Sequence, residues 1–255
     1  MEYQIQSGDL QNVLLTETLH SLCVCYSQIG MEVYVVGATA RDIALRVAHI
    51  PNAPRRTLDL DVAVALKDWE QYALLTDILL ANHFEKAKEK QRFYYKGMDG
   101  QNNYEVDIVP FGAIACEQQI AWPLDGSPVM SVRCFDDVMC VADHIQVADL
   151  YSFRIAPLSG QFLVKLDTWQ DRHLTTKKDA ADMVYILQNV YTAYALSSRD
   201  FPTEITIQTA DFDVVVAGAE WMAAELKHIL QNANRTYYSD LLMHEMEQEE
   251  NSRLL

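Results

Sequence analysis

The segment Thr57-Leu58-Asp59-Leu60-Asp61-Val62-Ala63-Val64 constrains the fold more than any other. A strand points successive side chains to opposite faces. On that alternation Leu58, Leu60, Val62 and Val64 share one face, and Asp59, Asp61 and Ala63 share the other. The apolar face needs a covering layer; the acidic face needs water or a cation. Aspartates at i and i+2 have Cα atoms roughly 6–7 Å apart. At an effective dielectric of about 20 their repulsion is on the order of 2–3 kcal/mol. Aspartate is also depleted in strands, so the pair is not there for folding.

Upstream, Val35-Val36-Gly37-Ala38-Thr39-Ala40-Arg41-Asp42 leaves a short apolar strand and opens a helix. Small residues let backbone approach a ligand, and a helix N-terminus presents free N–H groups to an anion. The Thr39 hydroxyl suits a helix cap or a phosphate contact. Arg41 suits neutralisation of phosphate charge, and Asp42 sits where the helix dipole favours an acid. The turn is neither G-x-x-x-x-G-K-[ST] nor G-x-G-x-x-G.

Downstream, Arg92–Lys96 and Tyr104–Val109 read as strands of a hairpin around the turn Gly97-Met-Asp-Gly-Gln-Asn102. In the second strand Tyr104, Val106 and Ile108 face one way, and Glu105 and Asp107 the other. If that strand lies beside the first, Asp107 joins Asp59 and Asp61. Three carboxylates on one sheet face suit Mg²⁺, a hard ion that prefers oxygen ligands. A phosphate-cradling turn beside such acids is what a metal-dependent enzyme acting on a nucleoside triphosphate needs. The alternative for the acids is a solvated sheet face.

The rest of the chain supplies the frame. With 255 residues, half of them hydrophobic, it is long enough for one large domain or two modest ones. A helix from Ser7 or Asp9 to about Gln28, stopped by Gly30, precedes a strand at Glu32–Val36. A helix follows over about Thr39–Ala48, then a loop forced by Pro51 and Pro54, with Arg55-Arg56 leading into the acidic strand. Lys67–Asn82 reads as an amphipathic helix. Pro110-Phe111-Gly112 is expected to end the hairpin. Ser131–Asp143 reads as a short strand, turn and helix, with a strand at Ile145–Val147. Helices are expected over about 159–170, 177–196, 214–230 and 237–248. The fold class is therefore α+β (α/β): a mixed sheet flanked by helices over 1–150, then a mostly helical region over 151–255.

Five cysteines, odd in number and without C-x-x-C, suggest neither a disulfide framework nor a zinc site. No apolar run approaches the ~20 residues of a membrane span, and no secretory leader is recognisable in residues 1–20. A reduced, cytoplasmic protein without membrane attachment is expected. The net charge of −16 argues against general affinity for nucleic-acid backbone. Only Arg55-Arg56, Lys86–Arg92 and Arg172–Lys178 offer local basic patches. The acidic tail His244-Glu-Met-Glu-Gln-Glu-Glu250 reads as a solvated helix end.

These motifs resemble the polymerase-beta-like nucleotidyltransferase superfamily, with its Gly-containing strand–helix turn, D-x-D strand and third acid on a later strand. Within it the chain looks most like the AbiEii/AbiGii toxin type. The turn is Gly37-Ala38-Thr39-Ala40, the strand Asp59-Leu60-Asp61, and the third acid Asp107 in Val-Asp-Ile-Val-Pro-Phe-Gly. A helical signature appears as Lys165-Leu166, Arg172 and Lys178-Asp179 with Asp182. The Arg41-Asp42 pair is also similar to the R-D of CCA-adding enzymes. The likeness covers roughly 33–187. One departure is Ala38, where many members carry Ser or Gly.

By resemblance, Asp59 and Asp61 hold Mg²⁺, and Asp107 completes the metal site or activates the acceptor hydroxyl. Gly37, Thr39, Arg41 and Lys165 hold the triphosphate, and Lys178 and Asp179 line the cleft. The implied activity is transfer of a nucleoside monophosphate from an NTP to a tRNA, protein or small-molecule hydroxyl, with an antitoxin partner in the toxin-like version. Two alternatives use the same residues: a catalytically degenerate nucleotide-binding or interaction protein, and a metal-dependent hydrolase.

Overall fold

The computed structural model describes residues 1–10, 12–50, 59–98, 100, 102–197, 199–203, 212–249, 252 and 254. The loop expected at Pro51–Pro54, Arg55-Arg56, Leu58, and Asp99 and Gln101 of the hairpin turn lie outside them. The chain divides into two compact units, Met1–Pro157 and Leu158–Leu255.

The first unit is built on an eight-stranded mixed sheet. Its strands are β1 (Glu2–Ile5), β2 (Tyr34–Val36), β3 (Asp59–Ala65), β4 (Phe84–Lys86), β5 (Arg92–Lys96), β6 (Asn103–Phe111), β9 (Asp143–Val147) and β10 (Tyr151–Ile155). They lie in the order β1-β9-β10-β2-β3-β6-β5-β4. A small separate hairpin pairs β7 (Gln119–Ala121) with β8 (Val129–Ser131). β3 runs antiparallel to β2 and parallel to β6, and β6 runs antiparallel to β5.

The sheet has one apolar face. Leu60, Val62 and Val64 of β3, Val106 and Ile108 of β6, Phe93 of β5 and Ile145 of β9 are all fully buried there. The helices α1 (Val13–Ser27) and α3 (Trp69–Ala81) cover it with Leu15, Leu19, Leu22, Tyr26, Leu75 and Leu79. Each such side chain contributes about 1.5–3 kcal/mol on burial, so this layer pins the parity of every strand it touches. The opposite face carries Asp59, Asp61, Glu105, Asp107 and Arg92, all exposed or half-buried.

The elements differ in places from the sequence reading. The chain opens with β1 and a 3-10 turn at Ser7–Leu10, and α1 starts only after Asn12, whose side chain accepts from the Leu15 N–H. Helix α2 (Gly37–Val47) begins at the glycine itself rather than at Thr39. β6 continues through Pro110 and Phe111 instead of ending there. Beyond Asp107 it pairs with β3 but no longer with β5, so the missing N–H of Pro110 disrupts no ladder. The short helix near 131–143 is α4 (Phe135–Met139).

The second unit packs α5 (Leu158–Arg172), α6 (Lys178–Leu196), α7 (Val214–Ile229) and α8 (Asn232–Glu247). Tyr191, Tyr194, Phe201 and Phe212 form an aromatic cluster, the first three against Trp221 and Phe212 against Tyr191, with Tyr194 and Trp221 buried and Phe201 and Phe212 at its exposed edge. Asp213 caps α7, accepting from the Val215 and Val216 N–H groups. α8 begins five residues before the expected Tyr237, at Asn232.

Candidate active site

The site is assembled by register. Across the parallel β3–β6 pair, Asp61 stands level with Asp107, and Asp59 with Glu105. Across β2–β3, Asp61 stands level with Val36, the last strand residue before the turn. The D-x-D pair, the third acid and the start of α2 therefore meet on one face.

Gly37 is fixed here by two independent constraints. Its φ of +67° lies where a side chain is strained, and a Cβ at this position would sit 2.2 Å from Asp61 Oδ2. The first turn of α2 thus lies directly against the Asp61 carboxylate. No side chain caps this helix start at Val36. Thr39 is buried, and its hydroxyl donates to the Asp59 carbonyl at 3.3 Å, tying α2 to the start of β3. Arg41 is buried at 4% exposure, and its Nε and Nη2 donate to Asp42 Oδ1 at 3.0 and 2.8 Å. Its charge is met by its own neighbour, an arrangement the sequence reading did not foresee.

Asp107 has a strong partner. Arg92, its cross-strand neighbour on β5, donates from Nε to Oδ1 at 2.8 Å and from Nη2 to Oδ2 at 2.9 Å. Nη1 of the same guanidinium lies 2.9 Å from Glu105 Oε1. The hydrogen bonds to Asp107 push Arg92 upward, so it is firmly cationic. Burial raises the Glu105 carboxyl; Arg92 opposes that, and the negative charges of Asp107, Asp59 and Glu89 add to it.

Asp59 and Asp61 are all-oxygen donors on one strand face, which fits a hard divalent ion. Among the described residues, no group of three His, Cys, Asp or Glu side chains is gathered closely enough to hold a metal. Asp59 and Asp61 are therefore two candidate donors that by themselves do not make a closed metal site, and Asp107 is held by Arg92.

Lys165 belongs to the second unit. Its Nζ lies 2.8 Å from Asp182 Oδ2 and 3.5 Å from Asp179 Oδ1, across α5 and α6. Arg172 donates to both oxygens of buried Asp179, at 2.6 and 2.8 Å. Burial by itself pushes the Asp179 carboxyl up, but these hydrogen bonds and the charges of Lys165 and Arg172 outweigh it and hold it below the usual range. The basic patches are similarly engaged. Lys86 Nζ sits 3.8 Å from the centre of the Phe93 ring and donates to the Lys90 carbonyl, Lys90 pairs with Asp125, and Arg92 with Asp107 and Glu105.

Arg92 and Glu105 are the residues the sequence reading left out of the site. A signal for Arg92 existed. Counting outward from the hairpin turn pairs Lys96 with Asn103 and hence Arg92 with Asp107.

Comparison with family models and with curated proteins found no match. Among solved structures, the chain is similar to an antigenic nucleotidyltransferase-like protein from Paracoccidioides brasiliensis, at 14% identity and a TM-score of 0.48, covering 88% of this chain and 93% of that one. It is similar to the antibiotic-resistance factor ANT(2'')-Ia at 14% identity and a TM-score of 0.42, covering 92% and 100%. It is also similar to the CCA-adding enzyme of Thermotoga maritima, solved with tRNA, at 13% identity and a TM-score of 0.33, covering 76% of this chain and 52% of that one.

Proposed function

We propose that the chain is a Mg²⁺-dependent nucleotidyltransferase that moves a nucleoside monophosphate from an NTP to an acceptor hydroxyl. The observation that carries the reading is the junction of three features on one sheet face. Asp59 and Asp61 share that face, Asp107 stands level with Asp61, and the α2 start abuts the Asp61 carboxylate.

Asp59 and Asp61 would hold the ion, which when bound would offset phosphate charge and stabilise the attacking and leaving oxygens, with Asp107 beside them. Gly37 leaves room for the Asp61 carboxylate beside the α2 start, whose N–H groups would meet phosphate, and Thr39 fixes that start to β3. The acceptor oxygen bonds to the α-phosphorus, and the bond from that phosphorus to the β-phosphate bridging oxygen breaks. Pyrophosphate leaves with the electron pair, and the acceptor proton passes to an Asp107 carboxylate oxygen if Arg92 releases one, or otherwise to solvent. The acceptor is a protein, a small molecule or a tRNA end. The tRNA version belongs to an AbiEii-like toxin–antitoxin setting in the cytoplasm. The internal pairing of Lys86, Lys90, Arg92 and Arg172 favours an acceptor other than tRNA, because phosphate backbone is bound by uncommitted cations. Among the described residues no helix is long and apolar enough to cross a membrane.

The test is incubation with each α-labelled NTP, Mg²⁺ and, separately, total tRNA, lysate protein and small hydroxyl compounds. Transfer of label that is lost in Asp59→Asn and Asp61→Asn supports the reading; no labelled product in any arm counts against it. A second reading, a degenerate nucleotide-binding protein, is favoured by the grip of Arg92 on Asp107. It predicts NTP–Mg²⁺ binding by calorimetry that survives Asp107→Ala, with no transfer in either form. Free phosphate or pyrophosphate released without acceptor would indicate a hydrolase.

A further inference from the structure

In-line transfer assigns the two sides of the reacting phosphorus, because the attacking and leaving oxygens lie roughly on one line through it. The N–H groups at the α2 start, next to Val36 and the Asp61 carboxylate, would hold the phosphates that leave. The acceptor then comes from the far side of Asp61, over β6 and β5. Strands lie about 4.8 Å apart, so β5 is about 10 Å from β3, a span that an attacking oxygen and one ring behind it would fill.

On that part of the face one side chain is aromatic. Tyr94 of β5 stands level with Glu105, which stands level with Asp59. Its neighbours Phe93 and Tyr95 turn to the helix-covered side and are buried, whereas Tyr94 is half-buried on the carboxylate side. The charged side chains flanking it on β5 are committed elsewhere, Arg92 to Asp107 and Glu105 at 2.8 and 2.9 Å, and Lys96 to Glu85. Tyr94 itself makes no hydrogen bond or ring contact with another described residue.

We propose that Tyr94 is the acceptor platform, on which a ring of the acceptor stacks beside its reacting hydroxyl. The proposal rests on the nucleotidyltransferase reading and deepens it by naming the acceptor as a ring-bearing alcohol, a nucleoside or a glycoside. Stacking on an aromatic side chain needs no charge on the ligand, which suits a face whose own charges are mostly negative. Glu85 and Glu105, level with Tyr94 on either side, keep lone pairs for further hydroxyls of such a ring. Tyr94 orients the acceptor and takes no part in bond making.

The test uses the full chain, α-labelled NTP and Mg²⁺, with adenosine, methyl glucoside and glycerol as acceptors, the last without a ring. Circular dichroism confirms that each variant is folded. The parent is expected to favour adenosine or methyl glucoside over glycerol in kcat/KM, and which of the two it favours tells a planar from a saturated ring. Tyr94→Thr keeps strand propensity but not the ring. It is expected to raise KM for the favoured acceptor about tenfold, the order expected for one lost stack, with KM for NTP unchanged. Tyr94→Phe is expected to stay near the parent, because the ring rather than the hydroxyl acts. A rise in KM for NTP instead of the acceptor would place the ring under the nucleotide and overturn the platform. Equal KM in parent and Tyr94→Thr, or a loss in Tyr94→Phe as large as in Tyr94→Thr, also overturns it; transfer persists in these cases, so the nucleotidyltransferase reading stands. Transfer to glycerol as readily as to the rings, or only to tRNA or protein, overturns the acceptor class. No transfer by the parent to any acceptor sinks both the platform and the reading beneath it.

Discussion

At the scale of single residues, the site depends on close approaches that admit little substitution. Gly37→Ala introduces a methyl group where φ is +67° and where the Asp61 carboxylate already sits. It is expected to cost about 1–3 kcal/mol, read as a lower urea midpoint with an unchanged slope, and to displace Asp61. Asp179 gives a pH signature. Its carboxyl is held below the ordinary 3.8, so its contribution is full above that value and is lost as the pH falls through the lowered one. Melting temperature followed downward from neutral pH is expected to fall more steeply in the parent than in Asp179→Asn below about pH 4. That Asp59 and Asp61 share a face, and Glu105 and Asp107 another, was legible because alternation sorts side chains within a strand; that β3 and β6 lie side by side, which brings the two sets to one sheet face, was only a condition in the sequence. The partners were less legible. Arg92 reads as a surface cation until the hairpin register sets it against Asp107. The Arg41–Asp42 and Lys165–Asp182 contacts depend on rotamers that spacing does not specify.

At the scale of elements, what decided legibility was length. The long periodic stretches α3, α6 and α7 fall within a few residues of their expected bounds, because an amphipathic helix repeats its signal over several turns. β4 and β7 have three residues each, β1 has four, and β10 only five. Segments that short carry few alternations and are legible only where a turn flanks them, as for five-residue β5 beside its hairpin turn and three-residue β2 before Gly37. The packing of α7 on α6 rests on Gly218, where a Cβ would lie 2.7 Å from Val190 Cγ1 and 3.1 Å from the Tyr191 backbone nitrogen. Val190 is β-branched and has little rotamer freedom. Gly218→Val is therefore expected to destabilise the second unit by about 1–3 kcal/mol through overpacking, measurable by chemical denaturation followed by Trp221 fluorescence.

At the scale of the whole molecule, a net charge of −16 opposes compactness through self-repulsion. Raising NaCl from about 0.02 to about 0.15 M shortens the screening length to ~8 Å and is expected to raise the melting temperature. If salt lowers it instead, attractive ion pairs such as Arg92–Asp107 and Arg172–Asp179 outweigh the repulsion. The parity of β3 and β6 has one more consequence. With a helix-covered face on one side and carboxylates on the other, each strand behaves as a reading frame with two phases. Inserting or deleting one residue inside either strand exchanges the phases. It carries an aspartate under α1 and α3 and brings Val106 or Ile108 level with Asp61. Folding and chemistry then fail together. In a scan of single-residue insertions and deletions, tolerance is expected to stop at the borders of these two strands and return in the loop over 113–118.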